Sequence, residues 1–134
     1  MSFLKLLISK LTLGSSKTSA KSKMNWTPLN QEEQLQIIKE ESQERPVLIF
    51  KHSTTCPISG TSMSRLERSW NEDEAKNIKA YYLDLLQNRN LSAAVAETFS
   101  VEHESPQVLL IKDGKSIYNE SHFGISFSDL LTAV

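Results

Sequence analysis

The chain has a single cysteine, Cys56, so it cannot close a disulfide within itself. The stapling that small secreted domains use to support a thin core is excluded, and the expected compartment is the reducing cytoplasm. Glycine and proline are scarce, four of each in 134 residues, which excludes collagen-like and low-complexity architectures. An excess of charge of one sign is missing too. The formal net charge is −1, which gives no global case for nucleic acid, since such a partner needs a basic surface that neutralises several phosphates. No long apolar run is present either. The best stretch, residues 3–13, is broken by Lys5, Ser9 and Lys10, so it neither spans a bilayer nor forms the core of a signal peptide. What is left, 39% apolar and 23% charged, suits one compact domain of mixed helix and strand.

Acidic residues are absent from residues 1–24, which hold five of the fifteen basic ones. The following 110 residues hold ten basic and sixteen acidic side chains, a net of −6. A basic tail on an acidic body reads as a disordered extension, with the folded domain at 25–134 and Trp26 near its beginning. Phe3, Leu4, Leu7, Ile8 and Leu11 follow helical spacing, so contact with a membrane surface through residues 3–13 is the alternative to a plain tail. The Ser/Lys-rich stretch from Gly14 to Lys23 is linker-like, and Met24 is a candidate working start.

Past the tail, helix and strand signals alternate. A mostly polar helix over 31–44 would pack through Leu35 and Ile38, with Asn30 as its N-cap and Pro46 beyond its end. Val47–Phe50 is a continuous apolar run, the pattern of a central strand covered on both faces, and it ends at Lys51 and His52. Pro57 suits the first position of a helix whose Met63, Leu66 and Trp70 recur on one side, which puts Cys56 in the N-cap region. A second apolar strand is expected at 78–85, then a helix burying Leu91, Ala94, Val95, Thr98 and Phe99. Residues 107–112 and 115–119 form a hairpin about Asp113-Gly114. Phe127, Leu130, Leu131 and Val134 make a last short helix that needs a sheet to cover it.

A solitary cysteine is by itself more often a small packing residue than a catalyst. Its place in this order argues for chemistry. A helix N-terminus offers free N–H donors and about half a positive charge, both of which favour a thiolate, and α/β sites gather at strand C-termini. Three residues into the helix, Ser59 can donate its hydroxyl to the sulfur from the place where a dithiol enzyme keeps its second cysteine. Serine cannot form a disulfide, so any adduct on Cys56 must be cleared by an outside thiol. Pro106, just before a strand, is a candidate cis-proline turn, and the Ser105 backbone beside it could pair with an extended substrate.

The order of elements resembles the thioredoxin fold: α/β, with a central mixed sheet of about four to five strands flanked by helices on both faces. The segments Lys51-His52-Ser53-Thr54-Thr55-Cys56-Pro57-Ile58-Ser59 and His103-Glu104-Ser105-Pro106-Gln107-Val108 resemble the YtxJ family of monothiol bacilliredoxins over about residues 26–134. The resemblance implies a thiol-disulfide oxidoreductase with Cys56 as nucleophile and Thr55, Pro57, Ile58 and Ser59 completing the active-site motif. It implies removal of bacillithiol, a low-molecular-weight thiol, from S-bacillithiolated proteins, with free bacillithiol as co-substrate and no tightly bound cofactor. It also explains Phe50, six residues before Cys56, where thioredoxins keep a buried acid that serves a resolving thiol absent here. The alternative function is a thioredoxin-like binding or redox-sensor module whose Cys56 is thiolated under oxidative stress without turning over.

Other residues carry less. His52, His103 and Cys56 can be drawn as a metal site, yet structural zinc wants four ligands at short paired spacings, which this sequence lacks, so no metal is expected. The same histidines, with His122, have no sequence signal for a Cys/His hydrolase, and His52 reads as a strand-end residue. Glu72-Asp73-Glu74 reads as a solvated loop.

Overall fold

A computed structural model describes residues 24–75 and 77–134. A two-residue strand, β1 (Thr27–Pro28), precedes helix α1 (Gln34–Glu41), strand β2 (Val47–His52) and helix α2 (Pro57–Ser69). Strand β3 (Lys79–Asp84), helix α3 (Arg89–Phe99), strands β4 (Gln107–Lys112) and β5 (Lys115–Ser121), a 3-10 turn (His122–Gly124) and helix α4 (Phe127–Ala133) follow. The strands form one five-stranded mixed sheet in the order β1-β3-β2-β4-β5. β1 and β2 both run parallel to β3, while β2 and β4 pair antiparallel, as do β4 and β5.

Strand alternation builds the two core layers. Val47 and Ile49 of β2 and Leu109 and Ile111 of β4 face Leu35 and Ile38 of α1 and Leu91, Val95 and Phe99 of α3. Leu48 and Phe50, with Val108 and Leu110, face Leu66 of α2, Trp70 at its end, and Phe127 and Leu130 of α4. Every residue of β2 is buried, as its unbroken apolar run requires when both faces are covered. Each such aliphatic side chain contributes roughly 1.5–3 kcal/mol by leaving water. The α/β architecture is therefore the one the element order implied.

Several boundaries shift for local reasons. α1 starts at Gln34, not near 31, and its N-cap is Glu33, not Asn30. The Gln34 side-chain carbonyl accepts from the N–H groups of Asn30 (2.8 Å) and Gln31 (2.9 Å), which ties the segment leading into the helix back onto its first residue. Thr98 is only partly buried, and Ser92 takes a fully inward place on α3. β5 continues to Ser121. The extension's helical spacing and its surface-binding alternative fall on residues 1–23, outside the described residues. Met24 is buried in the layer under α2 and α4.

The hairpin turn takes the mirror-image form that the strand twist demands, with φ of 52° at Asp113 and 77° at Gly114. It is also pinned from afar. Asp113 N–H donates to the Ser42 carbonyl and Gly114 N–H to Ser42 Oγ, both at 2.8 Å, so the end of α1 braces the turn. Replacing Gly114 by Ala puts a Cβ on a left-handed residue, and urea denaturation is expected to show a loss of about 1–2 kcal/mol. An unchanged midpoint and slope would mean that the turn relaxes to another type.

Candidate functional site

β2 delivers the chain to the site. After His52 a short loop turns back on itself, with Cys56 N–H donating to the Ser53 carbonyl at 3.1 Å. The first helical bond of α2 then runs from Gly60 N–H to the Cys56 carbonyl at 3.2 Å. Cys56 is the N-cap residue, extended at φ −100° and ψ 115°, and Pro57 occupies the first turn without a donor to waste. The N–H groups of Ile58 and Ser59 precede the first helical bond, so they are open donors at the sulfur's end of the helix dipole. The thiol is partly exposed. Thr55, Pro57 and Ile58 are exposed around it, with Ile58 at 38% a surface apolar side chain beside the sulfur's residue.

The second part of the site comes from β4. Lys51 pairs with Gln107 across the antiparallel β2–β4 ladder, so the residues just before Gln107 lie at the same end of the sheet as the Cys56 loop. There the Ser105-Pro106 peptide bond is cis. Pro106 is buried, and Ser105 Oγ is buried with no hydrogen-bond partner among the described residues. Gln107 braces this turn by donating through Nε2 to the Glu102 carbonyl at 2.9 Å.

A third part was not anticipated. His122 N–H donates to the Pro106 carbonyl at 3.0 Å, and the His122 carbonyl accepts from Ser62 Oγ of α2 at 2.9 Å. Arg65 of α2 donates to the carbonyls of Phe123 (2.6 Å) and Ile125 (2.9 Å). The 3-10 turn is thus a clamp joining the cis-proline turn to the cysteine's helix, and it presents Phe123 at 61% exposure. Nothing in the sequence marks 122–124 as a helical turn, because its side-chain bonds come from Ser62 and Arg65, about 60 positions away.

Ser59 does not lie where sequence reasoning put its hydroxyl. It is fully buried, its Oγ is 2.6 Å from His52 Nδ1, and it accepts from Ser53 N–H at 3.0 Å. Among the described residues no hydrogen bond joins Ser59 to Cys56. His52, read as the end of a strand, is that and also the partner of Ser59. Its position two residues after Phe50 was the available signal, since alternate strand residues share a face and Phe50 faces α2. Burial holds the His52 imidazole below its ordinary value, against the opposing pull of Asp84 and Glu67.

Lys51, pointing the other way, is buried under α3. Its ammonium donates to the Ser92 carbonyl at 3.3 Å and lies 3.2 Å from His103 Nδ1. Desolvation pushes its value down to about 8. His103 is held below its ordinary value by burial and by Lys51, with Glu104 opposing. The third histidine, His122, sits 3.6 Å from Glu104. The three histidines therefore serve three separate neighbourhoods. Among the described residues no group of three His, Cys, Asp or Glu side chains could hold a metal ion.

The monothiol bacilliredoxin BrxC family matches residues 27–130. A solved structure assigned as an oxidoreductase with a thioredoxin fold is 32% identical, over 81% of this chain and 92% of that one, with a TM-score of 0.69. Thioredoxin from Malassezia sympodialis is 14% identical over 84% and 90% of the two chains, TM-score 0.64. The short form of spinach chloroplast thioredoxin f is 16% identical over 81% and 88%, TM-score 0.60. The last two are similar in fold alone.

The buried Lys51 has a measurable consequence. Between pH 8 and its unperturbed 10.5 the unfolded chain holds a proton that the folded chain has released, so this group's contribution to stability rises with pH across that window and is flat below it. Denaturant unfolding of the wild type, referenced to Lys51→Met, is expected to gain on the order of 1–2 kcal/mol from pH 8 to 10, allowing for partial solvation of the amine. A pH-independent difference would show that the amine is not held low.

Proposed function

Because the chain belongs to the monothiol bacilliredoxin BrxC family, we propose that it removes bacillithiol from mixed disulfides on oxidised proteins, with Cys56 as the only reacting cysteine. The observation that carries this reading is the pairing of one partly exposed thiol, at a helix N-cap beside a cis-proline turn, with a serine at the position of a resolving cysteine. Family and fold make the chain a thiol-disulfide oxidoreductase. The small thiol and the protein clients are the finer part of the proposal.

In the first step the Cys56 thiolate attacks the bacillithiol sulfur of the mixed disulfide. A new S–S bond forms between Cys56 and bacillithiol as the old one breaks, and the client cysteine departs as a thiolate that takes a proton from water. Free bacillithiol then attacks the adduct on its bacillithiol sulfur, which restores the Cys56 thiolate and releases bacillithiol disulfide. The first attack is favoured when the client cysteine is the better leaving group. The positive end of the α2 dipole stabilises Cys56 both as attacking thiolate and as leaving group. The Ser105-Pro106 turn is the place where an extended client strand would align its disulfide, by backbone pairing of the added-strand kind. The cytoplasm, reducing and rich in small thiols, is the proposed compartment. Among the described residues no helix is long and apolar enough to cross a membrane.

Intact-mass spectrometry tests the first step. One equivalent of protein incubated with a bacillithiolated client should gain a single bacillithiol on Cys56 while the client loses its own, and Cys56→Ser should gain none. With free bacillithiol present, a substoichiometric amount of protein should clear many equivalents of client. Clearance that stops at one equivalent would instead mark a redox-sensor module. No adduct, with the client still modified, would refute the assignment.

A further inference from the structure

The proton of the Ser59 hydroxyl has three candidate acceptors: solvent, the Cys56 sulfur and the His52 imidazole. Solvent is excluded because Ser59 is fully buried. The sulfur is not engaged, since no hydrogen bond joins Ser59 to Cys56 among the described residues. His52 Nδ1 is 2.6 Å from the Ser59 oxygen, which already accepts the Ser53 N–H at 3.0 Å. A buried hydroxyl that accepts one N–H and has one acceptor in reach donates to it, because the other arrangement leaves its own O–H unpaired.

The surroundings of His52 agree with this direction. The ring is packed against Phe50 of the same strand and Tyr82 of β3, with centroids 6.3 and 5.6 Å away. The charges that face it are Asp84 on β3 and Glu67 on α2. A neutral imidazole has one acceptor nitrogen and one donor nitrogen, and here the acceptor is Nδ1, which leaves the ring proton on Nε2.

We infer that His52 is a positioning residue for Cys56: by taking the Ser59 proton at Nδ1 it keeps that hydroxyl off the sulfur, so that the helix N-terminus alone stabilises the thiolate. The inference rests on Cys56 being the reacting thiol and not on which small thiol it carries. Its chemical sense lies in the trade between ionisation and reactivity. Each added donor to a thiolate raises its population and lowers its intrinsic nucleophilicity. A monothiol enzyme must attack first with the thiol that must later leave, and a serine with a free proton at this position would blunt the attack. The His52–Ser59–Ser53 chain also ties the end of β2 to the first turn of α2, which holds the loop that carries Cys56.

The test follows the rate of reaction of Cys56 with a small aromatic disulfide as a function of pH, which involves no bacillithiol. Failure of the bacillithiol assay and failure of this inference are therefore separate outcomes. In His52→Phe the freed Ser59 proton should turn to the sulfur. The midpoint of the rate profile should fall by about one pH unit, a roughly tenfold gain in thiolate fraction, while the plateau rate should drop about threefold. General loosening of the site would not raise the thiolate fraction while slowing the fully ionised thiol. His52→Asn, whose amide oxygen stands near the place of Nδ1, should restore both. In a Ser59→Ala background, His52→Phe should shift neither, because the hydroxyl through which it acts is gone. A shift that persists in that background overturns the inference. Should His52→Phe fail to fold, the nitrogen chemical shifts of His52 in the unaltered protein decide alone: a proton on Nε2 supports the assignment, and a proton on Nδ1 overturns it.

Discussion

Pairing of β2 on both of its edges is the constraint from which the rest of the molecule follows. The strand is hydrogen-bonded to parallel β3 on one side and to antiparallel β4 on the other, and all six of its residues are buried. At its C-terminal end the chain leaves the sheet for exposed Thr54 and Thr55. There the chain turns through Ser53–Thr55 into α2 and presents Cys56 at the helix N-terminus. Because β4 runs the opposite way, the residues that enter β4 arrive at the same end. The cis-proline turn is brought to the cysteine's edge of the sheet by strand direction, with no contact between their own neighbours in sequence.

Polar residues at this end of the sheet are individually costly; Lys51 and His52 each have a specific partner, whereas Ser105 Oγ has none among the described residues. Lys51 and His52, adjacent in sequence, leave the strand on opposite faces and meet different chemistry. Lys51 is buried beside Ser92 and His103, where desolvation moves its ammonium toward neutrality. His52 enters the layer under α2 and takes up a serine. A buried hydroxyl or amine without a partner costs about 1–3 kcal/mol, so these pairings are requirements of folding before they are features of a site. Their functional interest lies in where the protons come to rest. The Cys56 side chain makes no capping hydrogen bond to α2, so the thiol is left to the field of the helix N-terminus, in keeping with a protein that has no resolving cysteine to manage.

The clamp made by the 3-10 turn adds a different kind of support. Ser62 and Arg65 of α2 hold the carbonyls of His122, Phe123 and Ile125, and His122 in turn holds the carbonyl of Pro106. The cysteine's helix and the proline's turn are thereby linked through a third segment. Relative motion of the two halves of the site would break several of these bonds at once. Phe123, projecting from the clamp, and Ile58, on the first turn of α2, are the large exposed apolar side chains attached to these parts.

The sequence by itself determined the α/β class, the order of elements, the two-residue hairpin, the solitary cysteine at a helix start and the absence of a resolving thiol. These are local signals, carried by the period of apolar residues, by Pro57, by Asp113-Gly114 and by the count of one cysteine. It also determined the family resemblance, since Thr55–Ser59 is contiguous. Only the tertiary structure decided what Ser59, His52 and residues 122–124 do. Ser59 and Cys56 are one helical turn apart, and spacing alone allows their contact. Which neighbour receives the hydroxyl proton depends on a histidine brought in by the face on which β2 packs. The start of α1 also differs from its expected place, and there the Gln34 side chain holds the N–H groups of Asn30 and Gln31 ahead of the helix. Periodicity tells which side of an element is buried. Proton placement in a buried network is a property of distances between elements, and those exist only once the sheet and its covering helices have come together.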